Sequence, residues 1–406
     1  MKKRSTVKGE MPIPLLAFLG ACVYGDPEAH YLGLDEAARD ELEHLGRRFG
    51  FEPWFYRYLY RILPEGKRAD DQKIYQARQS EALIRERDLN RLFGVLSAHG
   101  LRYAPVKGAD LAYRLYPEPA LRYYCDWDIL FHPDDCERAL DVLAGDGWNP
   151  PARDTDRQND VLKTSDHHFA PHVRGKRALE PHFTLPNFKD VDPLEIWAHT
   201  KECPGDCGRR ILSPELNLLL LTRHAASSSY FHAALPKLLT DAAMILTREK
   251  PDFPKLRAIS SRWGFPYPGD LFAAFPEFFP PDTVAAFGAD AANAARFRAL
   301  FELRGKLGEK EPREIMLTRF QVAAPAGGDL RRILRTWRPF GMRRRYDLPQ
   351  YGAWGRLIRA YLHYFFTRIR DAVRVWTRRD RDLHDYCRMV VCLESCGGSG
   401  RKREKS

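Results

Sequence analysis

The spacing of apolar positions changes along the chain, and each change marks a different kind of element. Residues 35–62 keep helical spacing. Asp35-Glu36-Ala37-Ala38 forms a helix start, Leu42, Leu45 and Phe49 follow on one stripe, and Trp54, Phe55, Tyr56, Tyr58 and Tyr60 cluster behind it. A longer stripe runs from Asp70 to His99 through Ile74, Ala77, Ala82, Leu83, Leu89, Leu92, Phe93 and Leu96, and Gly100 stops it. At Leu101 the period shortens: Leu101 to Val106 reads as a strand, closed by Lys107-Gly108. Ala109 to Tyr116 returns to helical spacing until Pro117-Glu118-Pro119 breaks it. Tyr123 to Phe131 alternates as a strand, Asp134 to Gly145 is a short helix, and Ala178 to Leu185 is a third strand, with polar loop from Asn149 to Asp166. From Ser213 the chain is helical again. A cap residue and a first-turn proline open Leu216 to Ala226, and Leu235 to Leu246 and parts of 288–320 follow.

Strands mixed with short helices inside a helical chain predict an α/β (α+β) protein, its small sheet flanked by helical N- and C-terminal regions. The expected divisions are a helical region at 1–100, an α/β domain at 101–200, a helical domain at 201–325 and a basic segment at 326–406. Ala324-Pro325-Ala326-Gly327-Gly328 is the best linker candidate.

Charge sharpens the last boundary. The net charge is +11, yet residues 326–406 hold 20 Lys+Arg against 8 Asp+Glu, so the preceding body is nearly neutral. Such a segment suits a polyanion or an anionic surface. Within it, Trp354 to Trp376 interleaves five arginines with Tyr361, Phe365 and Phe366. That pattern fits RNA binding, an interfacial helix, or a helix packed on the body with its arginines in solvent. The packed helix is the favoured reading, RNA is a candidate partner of the segment, and membrane association is not expected. A mean hydropathy of −0.48 and the lack of a long apolar run exclude a spanning helix. Eight cysteines in 406 residues are too few for a disulfide scaffold and point to a reducing compartment, the cytoplasm. Met1-Lys2-Lys3-Arg4 before Leu15 to Val23 has the outline of a signal peptide, and Leu19-Gly20-Ala21-Cys22 that of a lipoprotein site. Pro12, Pro14 and Glu10 interrupt that outline, so a short buried helix is expected instead.

The sharpest chemical feature is Cys125-Asp126-Trp127-Asp128-Ile129-Leu130. In a strand, residues two apart share a face, so Asp126 and Asp128 present paired carboxylates. Such a pair repels unless a cation neutralises it, and hard oxygen ligands suit Mg²⁺. A solvated pair at a strand end is the alternative. Lys107-Gly108 sits between strand and helix, where backbone N–H groups can cradle phosphate, and Glu180 offers a third carboxylate on a strand. Pro181 predicts that this strand lies at an edge or ends there. His167, His168, His172 and His182 cluster in sequence, either for metal or for hydrogen bonds to phosphate and local packing. His224 and Asp241 lie on separate helices and either line a cleft or brace the two helices. Cys203 and Cys207, and His384 with Cys387, Cys392 and Cys396, lack the spacing of a structural zinc site.

The order of a Gly-containing turn, Asp-x-Asp and a third acidic residue resembles the DNA polymerase β superfamily of nucleotidyltransferases. Val106-Lys107-Gly108-Ala109-Asp110, Leu115-Tyr116-Pro117, Leu121-Arg122 and Asp126-Trp127-Asp128-Ile129-Leu130 resemble a largely uncharacterised bacterial family within it. His168, Glu180-Pro181-His182, Leu212 to Glu215, His224 and Asp241 extend the likeness over roughly residues 35 to 300. The superfamily's usual Gly-Ser or Gly-Gly turn is Lys-Gly here. The resemblance implies a small mixed sheet of the polymerase β-like type. Asp126 and Asp128 would hold two Mg²⁺ ions, with Glu180 as third ligand or as base for the acceptor. Lys107 and Gly108 would meet the triphosphate of an NTP, ATP being the expected donor, Arg122 would stabilise its charge, and His168 and His182 would contact phosphate. The implied activity is transfer of a nucleoside monophosphate to a small molecule, peptide or RNA. An inactive nucleotide- or RNA-binding fold and a toxin-like enzyme acting on tRNA are the alternatives.

Overall fold

A computed structural model describes residues 12–150, 167–188, 190–203, 208–227, 234–307, 383 and 385–390. Most of the polar 149–166 stretch, the 324–328 linker, the 354–376 segment, Cys207, His384, Cys392 and Cys396 lie outside the described residues. Contacts divide the chain into one unit built on Pro12–Ala294 and another that includes Ala295–Ser399. The sheet and the candidate site described below belong to the first unit. The finer four-part division stays a proposal.

Five helices come first: α1 (Ile13–Tyr24), α2 (Pro27–Leu32), α3 (Glu36–Phe49), α4 (Glu52–Leu59) and α5 (Glu65–Ala98). The early apolar run forms α1, with Leu15, Leu16, Phe18 and Leu19 buried. Asp35 caps α3, its carboxylate accepting from the Ala38 N–H at 2.8 Å, and left-handed Gly50 ends the helix. The aromatic cluster falls largely on α4, whose Trp54 indole donates to the Leu121 carbonyl at 3.0 Å. Helix α5 starts five residues before the apolar stripe does. Its first turn is solvent-facing and therefore carries no apolar signal.

The sheet comprises β1 (Tyr103–Val106), β2 (Asp126–Phe131), β3 (His172–Arg174) and β4 (Arg177–His182), in the order β1-β2-β4-β3. Strand β2 runs antiparallel to β1 and parallel to β4, and β3 is antiparallel to β4, so the sheet is mixed, as expected for the polymerase β-like type. Helix α6 (Gly108–Arg114) follows β1 and α7 (Cys136–Gly145) follows β2. One face of the sheet, with Tyr103, Trp127, Ile129, Phe131 and Leu179, packs on Leu89, Leu92, Phe93 and Leu96 of α5 and Ala139 and Leu143 of α7. Alternation then turns Asp126, Asp128, Glu180 and His182 to the opposite face.

Of the two alternatives that Pro181 offered, an edge strand is not found, because β4 is an inner strand. Its pairing with β3 ends at Leu179, and the segment beyond is met by the Phe169 N–H, which donates to the Pro181 carbonyl at 2.8 Å. The missing proline N–H thus falls past the β3 ladder, and the strand does end one residue later. A two-stranded ribbon, β5 (Thr200–Glu202) with β6 (Arg210–Leu212), leads into helices Pro214–Ser227, Leu235–Glu249, Phe253–Trp263, Pro268–Ala273, Pro281–Phe287 and Ala291–Leu307.

The two faces of α5 make the packing testable. Leu92 is buried, whereas Leu83 is 55% exposed. Leu92→Ala should cost about 2–5 kcal/mol in denaturant unfolding, and Leu83→Ala should stay within about 0.5 kcal/mol.

Candidate active site

Register brings the acidic residues together. Asp128 on β2 lies directly opposite Glu180 on β4, and Val106, at the end of β1, lies on its other side. The next residue, Lys107, turns the chain into α6 with φ 54 and ψ −129, a conformation that side-chain-bearing residues rarely adopt. Gly108 follows because nothing larger fits: a Cβ there would come within 2.5 Å of the Tyr124 side chain. The strained turn delivers the Lys107 ammonium to Asp128 Oδ1 at 2.8 Å.

The same oxygen accepts from His182 Nε2 at 2.9 Å, and that nitrogen is 3.7 Å from Glu180 Oε2. Burial alone would raise the Asp128 carboxyl. The His182 hydrogen bond and the Lys107 charge outweigh it and hold the group well below the usual carboxylate range. For His182, burial outweighs the attraction of Asp128 and pushes the imidazole down to about 4, so it is neutral and donates through Nε2. Glu180 is raised, first by burial and then by the charges of Asp128 and Asp126. Asp126 is half-buried at the start of β2, and its carboxylate makes no hydrogen bond or ion pair among the described residues. Asp128, Glu180 and His182 each present a ligand atom, and these atoms lie within 4.8 Å of one another. Two crowded carboxylates on rigid strands, with a third two residues along, fit a divalent cation.

The other sequence candidates fall around this centre. His168 bridges to His182 through the backbone, and the rings of His167, His168 and His182 stand 4.8–5.5 Å apart. His172 is buried on β3, its Nδ1 2.8 Å from the Ala170 carbonyl. Arg122, expected at the triphosphate, is buried against Asp241: Nε and Nη2 donate to its two carboxylate oxygens at 2.6 and 2.8 Å, and Nη1 to the Tyr123 carbonyl. Tyr116 Oη adds a third bond to Asp241 at 2.6 Å. Its side chain is thus engaged in fixing the segment that enters β2 to the Leu235–Glu249 helix, and His224 and Asp241 do not meet as a brace between helices. Lys237, to which the sequence assigns no role, stands one turn before Asp241 on the same helix face. Solvent reaches Lys237 and His224, but protein crowds both. Lost hydration, with the positive charge of Arg122, brings Lys237 down to about 8. Lost hydration and the Lys107 charge bring His224 to about 4. The charge of Asp126 acts on Lys237 and that of Asp128 on His224.

Two measurements probe this arrangement. Asp241→Ala leaves the Arg122 guanidinium buried without its partner and should destabilise the fold by about 3–5 kcal/mol. Replacing both residues by apolar ones of similar volume should recover most of that loss in the same unfolding assay. For His182, the unfolded chain binds a proton below about 6.5 that the folded protein refuses down to about 4. Without added metal, acidification across that window should therefore lower stability by about 3 kcal/mol at this site. His182→Asn should flatten the corresponding part of the stability–pH curve.

A family described as uncharacterised nucleotidyltransferase matches residues 55–268, a span that contains the sheet, the Lys107-Gly108 turn, all three carboxylates and Lys237. No curated protein and no solved structure matches. Because the match covers more than half of the chain and takes in the whole carboxylate centre, the protein belongs to this nucleotidyltransferase family.

Proposed function

We propose that the chain moves a nucleoside monophosphate from an NTP to a hydroxyl or phosphate acceptor with the help of a divalent cation. The observation that carries this reading is Asp128 facing Glu180 across parallel strands, with Asp126 half-open beside them. Asp126, Asp128 and Glu180 would hold the cation, which supplies Lewis-acid stabilisation to the phosphoryl oxygens when bound. Asp126 and Asp128 fix its place from one rigid strand. Lys107 brings positive charge to the turn that the triphosphate approaches, and Lys237, in its charged form, supports the charge of the departing pyrophosphate. Arg122 acts through Asp241, holding the strand entry in register with the helix that bears Lys237. If Glu180 serves as base rather than ligand, its raised carboxyl suits removal of the acceptor proton. The acceptor oxygen then bonds to the α-phosphorus while the bond to pyrophosphate breaks.

Retention of all three carboxylates favours an enzyme over an inert nucleotide-binding fold. RNA, tRNA included, is the acceptor class that the basic 326–406 segment would suit. Incubation with each α-labelled NTP, a divalent cation and cell extract should label one acceptor species, with ATP the first donor to try. Asp126→Asn and Asp128→Asn should each lower that transfer by at least about 10²-fold, with unchanged far-ultraviolet circular dichroism. Full activity in both folded variants would refute the reading.

A further inference from the structure

The resemblance implies Mg²⁺ held by oxygen alone, but the groups that meet are two carboxylates and an imidazole. His182 Nε2 stands 2.9 Å from Asp128 Oδ1 and 3.7 Å from Glu180 Oε2. Neighbouring ligands of an octahedral ion bound at about 2.1 Å stand about 3 Å apart, and opposite ones about 4.2 Å. Both separations lie close to or within that range, so the nitrogen stands where a ligand beside the two carboxylates would stand. The Lys107 ammonium, 2.8 Å from the same Asp128 oxygen, balances part of the carboxylate charge while no ion is bound.

The backbone keeps the set in place. Glu180 and His182 alternate on β4, and Asp128 opposes Glu180 on β2. His182 is fully enclosed, so water has little access to compete at its vertex. Its Nδ1 has no hydrogen-bond partner among the described residues. With Nδ1 unbonded, the ring can carry its proton there and exchange the present Nε2–H bond to Asp128 for a bond to an ion.

We propose that His182 is a nitrogen ligand of the site's divalent cation, and that the site takes Mn²⁺ in preference to Mg²⁺. This rests on the cation-dependent reading above. Mg²⁺ gives up water reluctantly and takes oxygen ligands, whereas imidazole suits first-row transition ions, and Mn²⁺ also accepts carboxylates. Zn²⁺ stands above Mn²⁺ on most such sites, so the preference is read against Mg²⁺.

The test uses the full chain and Mn²⁺ alone, without nucleotide. Continuous-wave electron paramagnetic resonance counts bound Mn²⁺, and pulsed spin-echo modulation reads nitrogen in its coordination sphere. The expected result is imidazole-nitrogen modulation that shifts on heavy-nitrogen labelling of histidine and survives His168→Asn. His182→Asn should abolish it and weaken Mn²⁺ binding by roughly ten-fold or more. Mg²⁺ at a roughly ten-fold excess should leave most Mn²⁺ bound. Bound Mn²⁺ without nitrogen modulation, or displacement by equimolar Mg²⁺, would overturn this proposal and leave the cation-dependent reading standing. Absence of Mn²⁺ binding together with absence of Mg²⁺ binding would overturn both. The wild-type spectrum decides the matter even if His182→Asn fails to fold.

Discussion

Asp128 is a carboxylate enclosed within a four-stranded sheet, and much of the surrounding structure serves to keep it ionised. Desolvation of such a group costs several kcal/mol unless positive charge and hydrogen-bond donors are at hand. Lys107 and His182 supply both on one oxygen. The backbone contributes as well: a non-glycine residue at φ 54 costs about 1–3 kcal/mol. Charge-assisted bonds to a buried carboxylate offset strain of that size. The unusual Lys-Gly turn thus has a local reason. Lysine brings the ammonium to the acid, and glycine makes room for Tyr124.

A second ion pair ties this centre to the helices. Arg122 and Asp241 are 119 positions apart in sequence, yet they form a two-bonded, fully buried pair capped by Tyr116. Directional bonds of this kind fix orientation more than they add stability, because both ions are desolvated. Here they fix the entry to β2 against the helix that carries Lys237. Lys107 bonds Asp128, and the charge of Asp126 acts on Lys237. Phosphoryl transfer is governed by positioning and electrostatics, so a frame of alternating charge is what that chemistry requires.

Local signals in the sequence specified a good deal. The Asp35 cap, the Gly100 stop, the 101–106 strand and the Ser213-Pro214 helix start depend on neighbouring residues alone, and the structure has elements at each. The alternation of Cys125 to Leu130 was enough to put both aspartates on one strand face. Strand β3 escaped notice because three residues carry too little periodicity to read. Pro181 marked the end of its strand but not an edge, because a missing donor constrains only one side of a strand, and a pattern cannot say which side is paired.

Spacing along one chain determined which residues could share a face: Asp126 with Asp128, and Glu180 with His182. What it could not determine was which faces would meet. The register that sets Asp128 against Glu180, the bond that turns Arg122 toward Asp241, and the approach of His182 Nε2 to Asp128 join residues 52 to 119 positions apart. Such contacts follow from strand order and helix packing, which minimise the free energy of the whole core rather than of any segment. The sequence therefore named the acids, and the tertiary structure decided that lysine and histidine would surround them.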